Sequence, residues 1–321
     1  MRYSRIKLTH LLALAVALAI AVPAGSSASS SQLPNCLDET PTIVGTPGDD
    51  FLVGTRDDDV IVGLGGNDAI EGIGGIDLIC GNEGNDQIDG GPDIDALDGG
   101  PGDDTLTGSE SEDMYGEDPD FAVYVYAPVP VQVSLMTGTA TGDGTDTLVD
   151  LEGVFGSDFA DAIEGDSAAN YLYAGSGDDA VTAGPGSDLI DGEDGNDTVD
   201  GGLGDDLASY RYAPGPVVVD VAAGTGRGFG DDTLVAVEDL LGSQFADRLS
   251  GNSGTNWIWG QGGADLISGA GGSDVLFGEK GTDAVNGGPG PDKLNGGPGR
   301  DRLNGGPGRD RCVGEQKRSC P

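Results

Sequence analysis

A nine-residue period constrains this chain more than any other feature of its sequence. Glycine recurs at every ninth position from Gly45 to Gly108. An aspartate stands five residues after each of these glycines, beginning with Asp50, and an apolar or aromatic residue stands two residues further on, beginning with Leu52. A strict short period of this kind predicts a solenoid in which each repeat stacks on its neighbours.

Each repeat divides into a Gly-rich turn and a three-residue strand. In residues 63–68 the glycines permit backbone conformations with positive φ, so carbonyl oxygens and the Asp68 carboxylate are expected on one side of the turn. Residues 69–71 then extend, and strand alternation directs Ile70 inward. If two repeats form one coil, coils stack roughly 4.8 Å apart, close enough for neighbouring turns to share a cation. Calcium suits such a site because it accepts about six to eight oxygen ligands in loose geometry.

The composition indicates that the metal is needed for folding. One buried aliphatic side chain per repeat offsets only a small part of the entropy lost when nine residues are ordered. The chain has 56 acidic and 15 basic residues, and its net charge of −41 opposes a compact metal-free state. A disordered acidic segment would share this composition but would not keep a strict period. We therefore expect multiple Ca²⁺ ions to fold the chain.

The repeat returns in two further arrays, which start at Gly156 and Gly242. If ions lie between coils on both edges of the solenoid, the three arrays would hold about sixteen calcium ions. The repeats that open at Gly108, Gly156 and Gly242 lack the inner glycine, and we expect no calcium there. The same holds at Asn170 and Asn256, where a neutral amide replaces the carboxylate. The predicted calcium ligands are Asp50, Asp59, Asp68, Asp77, Asp86, Asp95, Asp104, Asp179, Asp188, Asp197, Asp265, Asp274, Asp283, Asp292, Asp301 and Asp310.

The segments between the arrays are copies of each other at an offset of 86 residues. The sequence YVYAP that starts at Tyr124 matches YRYAP that starts at Tyr210, and DTLV from Asp146 matches DTLV from Asp232. Alternating apolar residues after each tyrosine motif predict a strand with one buried face. We expect each connector to form a wider coil or a strand pair packed on the solenoid.

Residues 99–107, GGPGDDTLT, match the pattern Gly-Gly-x-Gly-x-Asp-x-apolar-x at every fixed position. On these repeats the chain resembles hemolysin-type (RTX) calcium-binding repeat proteins over residues 45–313. The resemblance implies an all-β fold, a parallel β-roll solenoid that binds calcium through sixth-position aspartates and turn carbonyls. One departure is an N-terminal leader, because RTX toxins and proteases usually carry a C-terminal export signal.

The leader predicts a secreted, extracellular protein. Arg2, Arg5 and Lys7 precede an apolar run over 11–22 that is too short to span a bilayer. The predicted segments are a signal peptide (1–28, cleaved after 24 or 28), a lead-in (29–44), RTX array 1 (45–116), a connector (117–155), array 2 (156–209), the duplicated connector (210–241), array 3 (242–313) and a C-terminal cap (314–321).

Four cysteines in an exported chain predict two disulfides. Three pairings are possible. We favour Cys36 with Cys80, which would pin the lead-in to the roll, and Cys312 with Cys320, which would close a small terminal loop.

The sequence favours a non-enzymatic calcium-binding protein with no nucleic-acid partner and no membrane span. Its only histidine is His10 in the leader, so serine–histidine, cysteine–histidine and HExxH zinc chemistry are excluded from the mature chain. Two alternatives stay open. A calcium-dependent adhesion or glycan-binding module would use Trp257 and Trp259, expected to point outward around Ile258. The duplicate has Tyr171 and Tyr173 around Leu172. A calcium-dependent enzyme acting on polysaccharides would use carboxylates alone.

A cluster of cations lies in the last repeats and the tail, and we expect these side chains to neutralise neighbouring carboxylates. The cluster consists of Lys293, Arg300, Arg302, Arg309, Arg311, Lys317 and Arg318.

Overall fold

The computed structural model describes residues 36–37, 39–109, 118–314, 316–318 and 320. Every regular element within these ranges is a β-strand. The chain divides into two compact units. Unit 1 holds the described residues up to 124 together with 138–151, and unit 2 holds 125–137 together with the described residues from 152 onward. The predicted signal peptide lies outside the described residues.

Each unit is a parallel β-solenoid with two sheets, and each coil contributes one strand to each sheet. Phe51–Val53 pairs in parallel with Ala69–Glu71, so that Leu52 lies opposite Ile70. The same offset of two repeats recurs in the other sheet, where Ile61 lies opposite Ile79. Two repeats therefore form one coil, which confirms the predicted β-roll.

In unit 1 the two sheets have the following strands. Sheet 1 contains Ile43–Val44, Val60–Gly65, Leu78–Glu83, Ala96–Asp98 and Phe121–Val123. Sheet 2 contains Phe51–Val53, Ala69–Glu71, Gln87–Asp89, Thr105–Thr107, Thr145–Val149 and Thr139–Thr141.

Unit 2 repeats this architecture over more coils. Its sheet 1 contains Gly153–Phe155, Tyr171–Tyr173, Leu189–Asp191, Leu207–Ser209, Asp239–Leu241, Trp257–Trp259, Val275–Phe277, Lys293–Asn295 and Arg311–Val313. Its sheet 2 contains Gln132–Ser134, Ala162–Glu164, Ala180–Thr182, Thr198–Asp200, Val218–Asp220, Thr225–Arg227, Asp231–Val235, Arg248–Ser250, Leu266–Ser268, Ala284–Asn286, Arg302–Asn304 and Gln316–Arg318. Two short pairs join Pro185–Gly186 with Leu203–Gly204 and Gly262–Gly263 with Lys280–Gly281.

The core is a single file of aliphatic side chains from each sheet. Ile70, Ile88 and Leu106 lie opposite one another in successive strands of sheet 2, and each is at most 2% exposed. Their strand neighbours face outward, as the period-two alternation of a strand requires. A three-residue strand of sheet 2 thus buries at most one side chain, which leaves the turns to supply much of the remaining stability.

Each connector contains a hairpin. In unit 1, Thr139–Thr141 pairs antiparallel with Thr145–Val149, which also lies parallel to Thr105–Thr107. In unit 2, Thr225–Arg227 and Asp231–Val235 form the equivalent antiparallel pair. The second strand of each hairpin therefore continues the parallel sheet, in agreement with the expected strand pair.

Both favoured disulfides are present. Cys36 is bonded to Cys80 within unit 1, and Cys312 is bonded to Cys320 within unit 2. Cys36 and Cys80 are buried, so this bridge fixes the lead-in on sheet 1.

The period breaks after Gly108. The strand that follows is Phe121–Val123, and the backbone N–H of Asp95 donates to Asp120 Oδ1 at 2.8 Å. Asp120 thereby takes the coil position that the period assigns to Asp113, a residue outside the described ranges.

Candidate metal centre

The sixth-position aspartates form ladders along the edges of the solenoid. The backbone N–H of Asp50 donates to Asp68 Oδ1 at 2.8 Å, and the backbone N–H of Asp68 donates to Asp86 Oδ1 at the same distance. In array 3 the N–H of Asp265 likewise donates to Asp283 Oδ1 at 3.0 Å. One oxygen of each accepting carboxylate therefore holds the preceding coil in place.

The second carboxylate oxygen has a different environment. In fifteen aspartates Oδ2 is buried and has no hydrogen-bond donor within the described part of the chain. A buried carboxylate oxygen without a donor is costly, so it calls for a proton or a cation. We call these residues open aspartates: Asp68, Asp77, Asp86, Asp95, Asp104, Asp179, Asp188, Asp197, Asp206, Asp265, Asp274, Asp283, Asp292, Asp301 and Asp310.

Carbonyl oxygens lie beside these open carboxylates. A Cβ placed on Gly63 would contact Asp68 Oδ2 and would lie 2.7 Å from the carbonyl oxygen of Gly81 in the next coil. The absence of a side chain at the first position therefore leaves a space that a carboxylate oxygen and a carbonyl oxygen both face. Such an all-oxygen environment fits calcium.

Seven other turns are closed by the chain itself. In these turns the backbone N–H of the second residue donates to the side-chain oxygen of the ladder residue, as Thr55 does to Asp59 Oδ2 at 2.7 Å and Ser243 to Asp247 Oδ2 at 2.6 Å. Six of them are the first two turns of the three arrays, and the seventh begins at Gly108. The donor and acceptor pairs are Thr46 with Asp50, Thr55 with Asp59, Ser109 with Asp120, Ser157 with Asp161, Asp166 with Asn170, Ser243 with Asp247, and Asn252 with Asn256.

The conformation of the second residue separates the two kinds of turn. In every turn with an open aspartate this residue has positive φ, including non-glycine residues such as Leu64 (85°), Ala270 (72°) and Glu279 (66°). In the closed turns it is Ser, Thr, Asp or Asn outside the positive-φ region. The backbone conformation at one residue therefore accompanies the presence or absence of a donor to the carboxylate.

Burial raises the pKa at several ladder aspartates of both kinds of turn, including the closed Asp161 and Asp247. Burial raises the pKa of Asp77 to about 7 and that of Asp95 to about 9, and nearby carboxylates add to the effect. Burial also raises the pKa of Asp274 to about 7. At the closed Asp59, desolvation acts in the same direction, but hydrogen bonds from Thr42 and Thr55 outweigh it and lower the pKa. The carboxyls of Asp77, Asp95 and Asp274 therefore retain protons near neutral pH unless a cation replaces them.

The structure places fourteen of the sixteen predicted ligands among the open aspartates. The other two, Asp50 and Asp59, lie in closed turns. Asp206 is open although it was not among the predicted ligands. The signal for the closed turns is Thr46 and Thr55 at the second position, because Ser, Thr, Asp and Asn favour local turn hydrogen bonds.

Each open site relies on backbone oxygens as well as on side chains. Within the described ranges, no group of three or more His, Cys, Asp or Glu side chains converges as a metal cluster. Calcium sites commonly combine carboxylates with carbonyls, so this arrangement fits the ion better than it fits zinc.

No ion pair is found for the C-terminal cations whose side chains the structure describes, which are Lys293, Arg300, Arg302, Arg309 and Arg311. Among described residues the ion pair found is Arg227 with Asp231, at 3.0 Å on the surface, and it includes no member of the cation cluster.

The described residues contain no helix that is long and apolar enough to cross a membrane.

Stacked coils of short parallel strands, joined by turns that present buried carboxylates, define the class of parallel β-roll proteins. The family model of the RTX calcium-binding nonapeptide repeat matches more than half of the chain, at residues 44–79, 81–115, 155–190, 175–208, 241–276 and 277–312. The chain belongs to this family. No curated protein matches it in sequence.

Proposed function

We propose that this is a secreted, non-enzymatic protein whose β-roll folds on binding calcium at the open aspartates. The observation that carries the proposal is the set of buried Oδ2 atoms without donors. A cation at each of these atoms compensates the buried negative charge. It also binds the folded chain only, so its binding free energy adds to folding.

The open carboxylates and the turn carbonyls would hold the ion. Asp274 Oδ1 accepts the backbone N–H of Asn256 at 3.0 Å, which leaves Oδ2 for calcium. Extracellular calcium modules work at dissociation constants of about 10⁻⁴–10⁻³ M. Secretion is supported by the sequence of the leader and by the two disulfides, which persist in oxidising compartments.

The test compares two buried ladder aspartates of array 3. Asp274→Asn removes charge from an open carboxylate, and Asp247→Asn removes charge from a closed one. We expect Asp274→Asn to lower the number of bound calcium ions in native mass spectrometry. It should also shift the calcium-induced circular dichroism transition to higher calcium concentration. Asp247→Asn should retain the wild-type ion count, because the Ser243 N–H already serves that site. Equal losses from the two variants would refute the assignment.

A second candidate function, glycan binding, is favoured by a row of rings on the outer side of sheet 1 in unit 2. The rings of Trp257 and Trp259 have centroids 5.9 Å apart, and Trp259 stacks on Phe277 of the next coil at 5.9 Å. The two tryptophans are half-buried around the fully buried Ile258, as their outward orientation requires. Quenching of tryptophan fluorescence by soluble polysaccharides would support this candidate, and unchanged emission would remove it.

The non-enzymatic part of the proposal is supported by the ladder itself. Every open aspartate occupies the same position of its repeat, which gives each one a role in the fold. Assays of alginate and pectin in the presence of calcium should show no turnover. Measurable cleavage or epimerisation of either polymer would contradict this part.

A further inference from the structure

Two buried tyrosines occupy equivalent positions in the two connectors. Tyr124 and Tyr210 are each 5% exposed and are separated by the connector offset. The Tyr124 hydroxyl donates to Asp146 Oδ2 at 3.0 Å, and the Tyr210 hydroxyl donates to Asp232 Oδ2 at 2.9 Å. The same contact is therefore formed independently in unit 1 and in unit 2.

The two acceptors are members of the carboxylate ladders. The backbone N–H of Asp104 donates to Asp146 Oδ1 at 3.1 Å, and that of Asp197 donates to Asp232 Oδ1 at 3.3 Å. These bonds are the ones that a sixth-position aspartate makes in a regular coil. Asp146 and Asp232 thus follow the open Asp104 and Asp197 in their ladders, although they lie in hairpins and outside the nine-residue period.

The difference lies at Oδ2. This atom has no donor in Asp104 and Asp197, whereas a tyrosine hydroxyl serves it in Asp146 and Asp232. A neutral donor satisfies one buried carboxylate oxygen, so the need for a cation there is removed. Burial, together with the adjacent Asp146, raises the pKa of Tyr124 well above its ordinary value, which keeps the hydroxyl protonated as a donor.

We infer that the hydroxyls of Tyr124 and Tyr210 terminate, at the connectors, the columns of calcium ions that follow these two ladders. Each hydroxyl takes the place of one further ion. The inference rests on the proposed calcium binding. The tyrosine–aspartate pair then limits the number of ions in its own column. Each column in arrays 1 and 2 that contains such a pair is then bounded by a closed turn at its start and by a tyrosine at its end.

The test uses Tyr210→Phe, which removes the hydroxyl and keeps the ring. We expect native mass spectrometry in saturating calcium to show one more ion per chain than in the wild type. Tyr124→Phe should also add one ion, and the double variant should add two. Tyr212→Phe is the matched control, because its ring lies beside the Arg211 guanidinium and not in the ladder. This control should retain the wild-type count.

A second substitution identifies the location of the added ion. Tyr210→Phe combined with Asp232→Asn should return the count to the wild-type value, since the freed carboxylate is then gone. A wild-type count in both single Tyr→Phe variants overturns the inference. Failure of both variants to fold in saturating calcium also overturns it, because the added ion should replace the lost hydroxyl. If instead the wild type binds no calcium, the proposed function fails and not merely this extension of it.

Discussion

At the scale of single residues, the second position of the turn determines whether a carboxylate can be left for a cation. An L-residue in the left-handed region costs about 1–2 kcal/mol, whereas glycine adopts this region freely. Ser, Thr, Asp and Asn favour the alternative turn, because their backbone N–H and side chain form local hydrogen bonds. Substitutions at this position should therefore change both the stability and the site.

Gly288 and Ala270 provide a test of this strain in neighbouring coils of array 3. Gly288 has φ of 99°, and a Cβ there would collide with the Ala270 carbonyl oxygen. Gly288→Ala should lower the free energy of unfolding by at least about 1–2 kcal/mol in saturating calcium. Ala270→Gly should raise it by up to about 1 kcal/mol, since the relief of strain at φ of 72° exceeds the entropic cost of glycine.

Urea denaturation followed by circular dichroism measures both changes. Gly48→Ala is the control, because a Cβ on Gly48 meets no atom within 4 Å and its φ is not in the left-handed region. This control should be neutral or slightly stabilising. A Gly288→Ala variant as stable as Gly48→Ala would show that the conformation of the second residue is not under strain.

The residue pattern alone predicts much of the candidate site. The position of the carboxylate follows from the period, and most predicted ligands are open. The closed state of Asp50 and Asp59 does not follow from the period, because it depends on the backbone N–H of the threonine four residues before each carboxylate. The tyrosine–aspartate pairs could not be predicted, since Tyr124 contacts Asp146 only when the intervening hairpin has formed.

At the scale of elements, the sequence determines the register of strand pairing more firmly than the length of each coil. Inward residues two repeats apart, such as Leu52 and Ile70, must face each other for the core to close, so the offset of the pairing is predictable. The coil that ends at Asp120 was not predictable, because an insertion after Gly108 moves the strand away from the period. Strand order in the connectors likewise depends on a hairpin whose partner strand is distant in sequence.

The two disulfides close chain loops of different length. The separation is 44 residues for Cys36–Cys80 and 8 residues for Cys312–Cys320. Loop-closure entropy gives about 4 kcal/mol of stabilisation for the first and about 2.5 kcal/mol for the second. The double variant Cys36→Ala/Cys80→Ala should therefore unfold at lower urea concentration than Cys312→Ala/Cys320→Ala, with both measured in saturating calcium.

Reduction of the wild-type protein is the control for cavity effects of the alanines, because it breaks both bridges and keeps every sulfur atom. The reduced protein should be less stable than either double variant. The reverse order of the two variants would indicate that the Cys312–Cys320 bridge holds more of the fold than its short loop accounts for.

At the scale of the whole molecule, the unbalanced charge must be compensated from solution. The chain has a net charge of −41, and one surface ion pair is found among its described residues. Fifteen buried carboxylates, each with an Oδ2 atom that has no donor, add a local penalty to this general repulsion. Calcium removes both. Protons are the other species that can neutralise the buried carboxylates.

In the metal-free chain, acid should replace calcium in part. The folded pKa is raised by burial to about 7 at Asp104, Asp179 and Asp265, whereas an unfolded aspartate has a pKa of about 4. The folded chain therefore binds more protons than the unfolded chain between these values. The resulting stabilisation is fully present below about pH 4 and is lost as the pH rises through about 7. Chelated protein should thus gain β-structure by circular dichroism when the pH is lowered from about 8 to about 4.5.

Adding about 1 M NaCl at about pH 8 is the control, because salt screens the general repulsion without supplying protons to buried carboxyls. Recovery of the β spectrum in salt to the same extent as in acid would show that net charge, and not the buried carboxylates, keeps the metal-free chain unfolded.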